Sequence, residues 1–193
     1  MPDSMPSRSS AEPGASVRRV ASADLSASEV AIIRTLLWAA FPPGDEGMTE
    51  DDWKHALGGT HFVLELDGKI VAHASVIDRE LHVGGKPLRT GYVEAVATAP
   101  DRQGMGLGSR LMDDVTAWIR DRFELGALGT GRHSFYERLG WRTWAGPSCV
   151  RTPNGDRRTP DDDGYILVLA TPSSPPLDPS APISCDWRAG DVW

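Results

Sequence analysis

The sequence predicts a single α/β domain in which a central mixed, mostly antiparallel sheet is flanked by helices. Three observations lead there. Two hairpin signals, Asp67-Gly68 and Gly84-Gly85, separate strand-like runs. A β-type run through Val93–Thr98 stops at Pro100, passes a glycine-rich turn and opens directly into an amphipathic helix. The 193 residues, 40% of them hydrophobic, suffice for one real core, and the element order reads β-α-α-β-β-β-α-β-α-β-β.

Each element has its own justification. Residues Met1 to Ser16 are rich in Ser, Pro, Ala and Gly and read as a disordered tail, so the domain is expected over 17–193. Val17 to Val20 form the first strand. Ser26 and Glu29 have capping-box spacing, and Val30, Ile33, Leu37 and Ala40 give a helical stripe that Pro42-Pro43-Gly44 ends. Thr49 and Asp52 repeat the capping-box spacing for a short helix running to Leu57, stopped by Gly58-Gly59. His61–Leu66 and Lys69–Ile77 are strands, the second continuing toward Val83, and the next runs to Thr98. A long helix covers Gly104 to Arg122, with Leu107, Leu111, Val115, Trp118 and Ile119 on one face. Glu124–Gly129 is a buried strand, Ser134–Leu139 a short helix stopped by Gly140, and Trp141–Trp144 and Ile166–Ala170 complete the sheet. Five prolines between Thr171 and Pro182 make that segment an extended crossing.

Composition narrows the function. A net charge of −7 argues against nucleic acid as a partner. There is no run of 18 apolar residues, so no membrane helix is expected, and the N-terminus has no signal-peptide core. Two distant cysteines, Cys149 and Cys185, suit a reduced, cytoplasmic protein, with a disulfide unproven. No Cys/His cluster has metal-ligand spacing, so no metal is expected. The acid is clustered: Asp45, Glu46, Glu50, Asp51 and Asp52; then Asp161, Asp162 and Asp163; then Asp186, Asp191 and the carboxylate of Trp193. Each cluster alone suits a solvated face or helix cap, but three together suggest a cationic substrate.

The glycine-rich turn carries the chemistry. Free amides of a helix N-terminus bind phosphate, and Gly104, Gly106 and Gly108 let a pyrophosphate approach the main chain. The lysine and Ser/Thr of a P-loop are missing. Gln103-x-x-Gly106-x-Gly108, preceded by Gly91-Tyr92-Val93-Glu94-Ala95-Val96-Ala97, resembles the pyrophosphate loop of the GNAT acetyltransferases, as does Phe135-Tyr136-Glu137-Arg138-Leu139-Gly140-Trp141 further on.

Four blocks narrow the resemblance: Asp52–Gly59, Gly91–Ala97, Thr159–Gly164 and Cys185–Trp193. They resemble the aminoglycoside 2′-N-acetyltransferases. That resemblance implies the GNAT fold, commonly a homodimer; acetyl-CoA as donor; and as acceptor the 2′-amine of an aminoglycoside, a role that another polycationic amine could also fill. It implies Val96 and Ala97 at the pantetheine arm and thioester, with Gln103, Gly104, Gly106, Gly108 and Ser109 at the pyrophosphate. Substrate contacts carry over to Asp45, Asp52, Glu94, Asp162, Asp191 and Trp193. Glu94, on a strand face shared with Tyr92 and Val96, is expected to be the general base, with the Trp193 carboxylate as alternative base or clamp. Tyr136 is expected to protonate the leaving thiolate. Two departures stand out: the segment Leu128 to Tyr136 is about two residues short, and Pro42–Met48 is longer than usual.

Overall fold

A computed structural model describes residues 14–44 and 47–193. Its elements run β1 (Ala15–Ala21), α1 (Ala27–Ala40), α2 (Glu50–His55), β2 (Thr60–Leu66), β3 (Lys69–Val83), β4 (Lys86–Thr98), α3 (Leu107–Arg122), β5 (Leu125–Gly129), α4 (His133–Glu137), β6 (Arg142–Thr143), β7 (Ser148–Thr152), β8 (Gly155–Arg158), β9 (Ile166–Ala170) and β10 (Ile183–Asp186). One mixed sheet holds all ten strands in the order β6-β9-β5-β4-β3-β10-β7-β8, with β2 and then β1 joined to β3 as well. The long β3 gives one edge to β4 and divides the other, β2 pairing along Lys69–Val76 and β10 at His82 and Val83. Parallel pairing occurs at β4–β5 and at β10–β7. The single α/β domain with a mixed, mostly antiparallel sheet flanked by helices, expected from the sequence, is present.

Both expected capping boxes form, Ser26 with Glu29 on α1 and Thr49 with Asp52 on α2. The α3 stripe of Leu107, Leu111, Val115 and Ile119 is fully packed against Phe62, Leu64, Ala74, Val76 and Val93 on one sheet face. α1 and α2 cover the other face through Ile33, Leu36, Leu37 and Trp53 against Val63 and Ala97. A third cluster, including Tyr92, Ile183, Cys185 and Trp193, seats the C-terminal segment on the sheet. Burying these aliphatic and aromatic side chains contributes about 1.5–3 kcal/mol each.

Several boundaries differ from expectation. α3 starts at Leu107 rather than Gly104, because Gly104 and Gly106 both hold φ of +78°, outside the helical region. β1 begins at Ala15, so residues 15 and 16 are not tail: Ala15 pairs with Leu66 and packs on the core. α2 ends at His55 rather than Leu57, with Gly58 at φ +91°. β5 starts one residue later than expected, and α4 covers His133–Glu137. The β7–β8 hairpin and β10 were not expected. Their residues lack alternating hydrophobicity: β8, Gly-Asp-Arg-Arg, is exposed throughout. The proline-rich segment 171–182 crosses without helix or strand, as expected. Cys149 and Cys185 are free and buried. They lie on adjacent strands one register step apart, Ser184 pairing with Cys149 and Cys185 with Val150, so their side chains take opposite faces.

β4 contains a bulge that decides the site. Glu94 pairs with Ser75 and Ala97 with His73, so Ala95 and Val96 together oppose Ala74 alone. Ala95 takes φ +51°, a left-handed conformation that costs an alanine roughly 1–2 kcal/mol. The extra residue reverses the alternation. Val96 packs on the α3 face, so it does not share a face with Glu94, contrary to expectation.

Under α1 lie two fully buried histidines, His61 on β2 and His73 on β3, joined Nδ1 to Nε2 at 2.8 Å. Burial lowers their pKa values to about 4 and about 3, the latter also by repulsion from His61. Both are neutral when folded near pH 7, whereas the unfolded chain protonates them below about 6.5. The unfolded state therefore binds more protons as pH falls. Stability supplied by the neutral pair is complete above about pH 6.5 and is lost on acidification toward the folded values. Lowering pH from 7 to 5 is expected to remove about 2 kcal/mol per histidine. Urea midpoints at the two pH values, compared between the wild type and His61→Gln/His73→Gln, measure it; equal pH slopes would refute the assignment.

Candidate active site

β4 and β5 pair only over Thr90–Tyr92 with Leu125–Ala127, and then separate. Beyond Tyr92 the edge of β4 facing β5 has no strand partner, and it carries the bulge. Such an edge offers main-chain donors and acceptors to an extended ligand. β4 then leads into a short turn at Pro100–Arg102, where the Gln103 side-chain amide donates to the Thr98 carbonyl at 3.3 Å. Gly104 and Gly106 turn through left-handed conformations, and a Cβ at either would meet nothing within 4 Å. The space in front of them is open. Gly106 caps α3 without a side-chain hydrogen bond, and no acidic residue lies in the first turn. The amides of Leu107, Gly108 and Ser109 are thus left to an external anion, favoured by the helix dipole. This cradle and the open β4 edge fit a pyrophosphate and its extended arm.

Tyr136 sits on α4, which touches the start of α3: a Cβ on Gly108 would lie 3.6 Å from the Phe135 ring. The Tyr136 ring packs edge-on to Phe135 at 4.8 Å and to Trp141 at 6.3 Å. Burial pushes its phenol pKa up to about 12, so it is protonated at neutral pH. It belongs to the same cluster as Val93, with Val96 packed against that cluster. It faces the α3 side of the sheet.

Glu94 faces the other way, into the C-terminal segment. Arg188 Nη1 donates to Glu94 Oε1 at 2.6 Å, with both side chains about 15% exposed or less. Burial raises the Glu94 carboxyl pKa; Arg188 and, more weakly, Arg79 oppose this, and Asp191 adds to the rise. The same Arg188 donates through Nη2 to the Trp193 main-chain oxygen at 3.3 Å and through Nε to the Asp191 carbonyl at 2.8 Å. Arg79, nearly buried, pairs with Asp186 at 2.9 Å, donates to the Val192 carbonyl and lies 4.6 Å over the Tyr92 ring. The tail is further pinned by Trp193 Nε1 donating to Thr159 at 3.0 Å, and by His55 of α2 bonded to the Ala189 carbonyl at 2.8 Å. Gly129 closes the floor: a Cβ there would lie 3.6 Å from the Tyr92 hydroxyl and 3.7 Å from the Trp193 oxygen. The buried Tyr92 hydroxyl has no hydrogen-bond partner among the described residues.

Of the residues expected to hold substrate, Glu94, Asp191 and Trp193 meet around Arg188. Asp162 joins them: burial raises its carboxyl pKa against the Thr159 hydrogen bond, with Asp191 adding repulsion. Asp52 lies on α2, the helix packed on the tail, where a Cβ on Gly190 would approach Asp51 at 3.0 Å. One Asp52 oxygen is spent on the capping box. Asp45 lies outside the described residues. Asp163 and Asp186 are committed to Arg158 and Arg79. Sequence reasoning missed Arg79 and Arg188, because an arginine's burial shows only once distant segments meet. Among the described residues no group of side chains could hold a metal ion, and no helix is long and apolar enough to cross a membrane.

The fold, the open β4 edge and the anion cradle fit an acyltransferase, and the comparisons give the family. A profile of the Acetyltransferase (GNAT) family matches residues 30–141. The chain belongs to the GNAT acetyltransferase family. It is 44% identical over 150 residues to an aminoglycoside 2′-N-acetyltransferase of Mycolicibacterium fortuitum, covering 75% of this chain and 76% of that one. Among solved structures it is similar to a GNAT acetyltransferase from Brucella melitensis in complex with acetyl-CoA, with TM-score 0.59, 20% identity and coverage of 91% and 96%. It is also similar to the Escherichia coli GNAT protein YhbS in complex with CoA, with TM-score 0.62, 15% identity and 89% of each chain covered. A GNAT protein from Kribbella flavida matches at TM-score 0.56 and 24% identity, over 69% of this chain but only about a third, 34%, of its own. These structural likenesses show the fold.

Proposed function

We propose that the protein transfers the acetyl group of acetyl-CoA to the 2′-amine of an aminoglycoside, within a ternary complex. One observation carries the reading. Where β4 parts from β5, the Glu94 carboxylate and the Asp191–Trp193 main chain meet at Arg188, with Asp162 close enough to Asp191 to feel its charge, in a chain 44% identical to an aminoglycoside 2′-N-acetyltransferase. Carboxylates attract the ammonium groups of a polycation and steer its approach. The two free cysteines suit a cytoplasmic setting.

Acetyl-CoA, when bound, supplies an activated acyl carbon; the residues supply binding and proton transfers. The α3 N-terminus with Gln103, Gly104, Gly106, Gly108 and Ser109 would hold the pyrophosphate, and the β4 edge at Val96 and Ala97 the arm above it. Asp52, Asp162, Asp191 and the Trp193 main-chain oxygen would orient the acceptor. An ammonium cannot attack a thioester, so one proton must leave, and Glu94 takes it, directly or through water. Its raised pKa makes it a better base than an exposed carboxylate. Tyr136, on the opposite face of the sheet, returns a proton to the departing sulfur. The two proton transfers would meet where β4 and β5 part, beyond Tyr92 and Ala127.

Tobramycin and kanamycin A test the reading, since kanamycin A has a hydroxyl in place of the 2′-amine. CoA release with tobramycin alone is expected. Release with both would move the acetylated amine elsewhere, and release with neither would turn the reading toward another polycationic amine. Tyr136→Phe keeps the packing and removes the proton. It is expected to lower kcat about 10²-fold with little change in acceptor KM, measured by steady-state kinetics; an unchanged kcat would free Tyr136 from this role.

A further inference from the structure

The buried histidines bond to the one stretch of β4 that leaves the β3 ladder. His73 Nδ1 lies 2.9 Å from the carbonyl oxygen of Ala95. A carbonyl can only accept, so His73 Nδ1 carries the proton. A neutral ring then presents a bare Nε2, to which His61 Nδ1–H donates across 2.8 Å. His61 Nε2 is bare in its turn and accepts from the Ser22 hydroxyl at 2.7 Å. Ser22 Oγ accepts from the Gly58 amide at 2.9 Å. The hydroxyl's other neighbour, the Gly59 carbonyl at 3.2 Å, already receives the Ser22 amide at 3.0 Å.

In this arrangement each ring uses one donor and one acceptor, and no lone pair faces another. The burial that lowers both pKa values keeps both rings neutral. The chain runs in one direction and ends on an amide oxygen, which neither gives nor takes a proton at neutral pH. It therefore carries no proton into the site. What it fixes is a peptide unit.

That unit is the bond between Ala95 and Val96. No peptide bond among the described residues is cis, and in a trans peptide the C=O and N–H point in opposite directions. Holding the Ala95 carbonyl toward His73 aims the Val96 amide away from His73, to the side of β4 where the sheet opens. Ala95 has no β-ladder partner of its own and sits at φ +51°, so the histidine is what holds this peptide in place.

We infer that His73, oriented by His61 and Ser22, is a positioning residue that aims the Val96 N–H at the thioester carbonyl of bound acetyl-CoA. This rests on the donor half of the proposed function and assigns residues that reading leaves unused. Preorganised amides of this kind act on the transition state more than on binding.

The test uses the full chain and acetyl-CoA labelled with ¹³C at the acetyl carbonyl. In the wild type the bound carbonyl resonance is expected to move downfield from the free value. His73→Leu removes the donor at similar volume; the shift is expected to fall by about half or more, and kcat by about tenfold or more, with KM for acetyl-CoA changed less than about threefold. His73→Asn returns an N–H donor and is expected to recover most of both. Thermal melting identifies any variant that fails to fold. The wild type settles that case independently: ¹⁵N spectra are expected to show the Nδ1–H tautomer on both histidines from pH 5 to 9. The Nε2–H tautomer at His73, no downfield shift in the wild type, equal shifts in wild type and His73→Leu, or no recovery in a folded His73→Asn would each overturn the inference. A wild type that polarises the thioester but acetylates no aminoglycoside would refute the acceptor reading and leave this inference intact.

Discussion

Glu94→Gln lowers kcat/KM for the acceptor about 10³-fold, while the dissociation constant of acetyl-CoA stays within about twofold. The magnitude is that of a lost general base. Glutamine preserves the shape and can still accept from Arg188, so the fold and tail should hold. The effect should divide mainly into kcat, because Asp162, Asp191 and the Trp193 oxygens would still bind the cation. The pH profile carries the sharper test. Burial raises the Glu94 carboxyl pKa, so the acid limb of kcat/KM in the wild type should lie above the ordinary carboxylate range of about 4. Activity rises through that limb as the base ionises, and the variant should lose the limb. A variant with the wild-type profile would remove Glu94 from proton transfer and leave it as a partner for Arg188.

Arg188→Met makes the second large effect, because it acts on the base and the tail together. Removing the guanidinium leaves a nearly buried carboxylate unpaired, a class of change that costs about 3–5 kcal/mol. Arg188 now opposes the burial-driven rise in the Glu94 pKa. Without it that pKa climbs further, and the acid limb should move to higher pH. The Asp191 carbonyl and the Trp193 oxygen lose their donor at the same time, so acceptor KM should rise. Chemical denaturation and a pH–rate profile on the same preparation measure both consequences. A limb that stays in place, or moves to lower pH, would show that Arg188 does not tune Glu94.

The donor half of the site was legible because it is contiguous. The left-handed turn through Gly104 and Gly106 into α3 is main-chain geometry that glycine spacing announces, and both capping boxes could be read from pairs three residues apart. The acceptor half was legible only as charge. Three acidic clusters suggested a cationic ligand, yet Asp163 and Asp186 turned out to belong to Arg158 and Arg79, and one oxygen of Asp52 to its own helix cap. Asp163 finds its arginine five residues away, but Asp186 and Glu94 meet arginines 107 and 94 residues away in sequence, and no local pattern records that. The bulge was hidden for a similar reason. Alanine at position 95 has no preference for positive φ, and the alternation through Tyr92, Glu94 and Val96 reads on undisturbed. Only pairing with β3 shows that one residue is extra. β8 and β10 escaped because short, polar or edge strands are made by their neighbours rather than by their own side chains.

The way the tail is held has an evolutionary consequence. The donor cradle is built into β4, its turn and α3, where a change disturbs the main core. The proposed acceptor site lies instead between α2 and residues 186–193, which are anchored through two arginines and one tryptophan. On the proposed reading, substitutions at exposed positions such as 187 or 189 would alter which amine is admitted while leaving thioester handling intact, whereas Gly190, at φ +76° and with Asp51 3.0 Å from where a Cβ would sit, is held to glycine. A lineage carrying this scaffold can therefore drift among cationic acceptors at small cost in stability, keeping one chemistry while its choice of target changes.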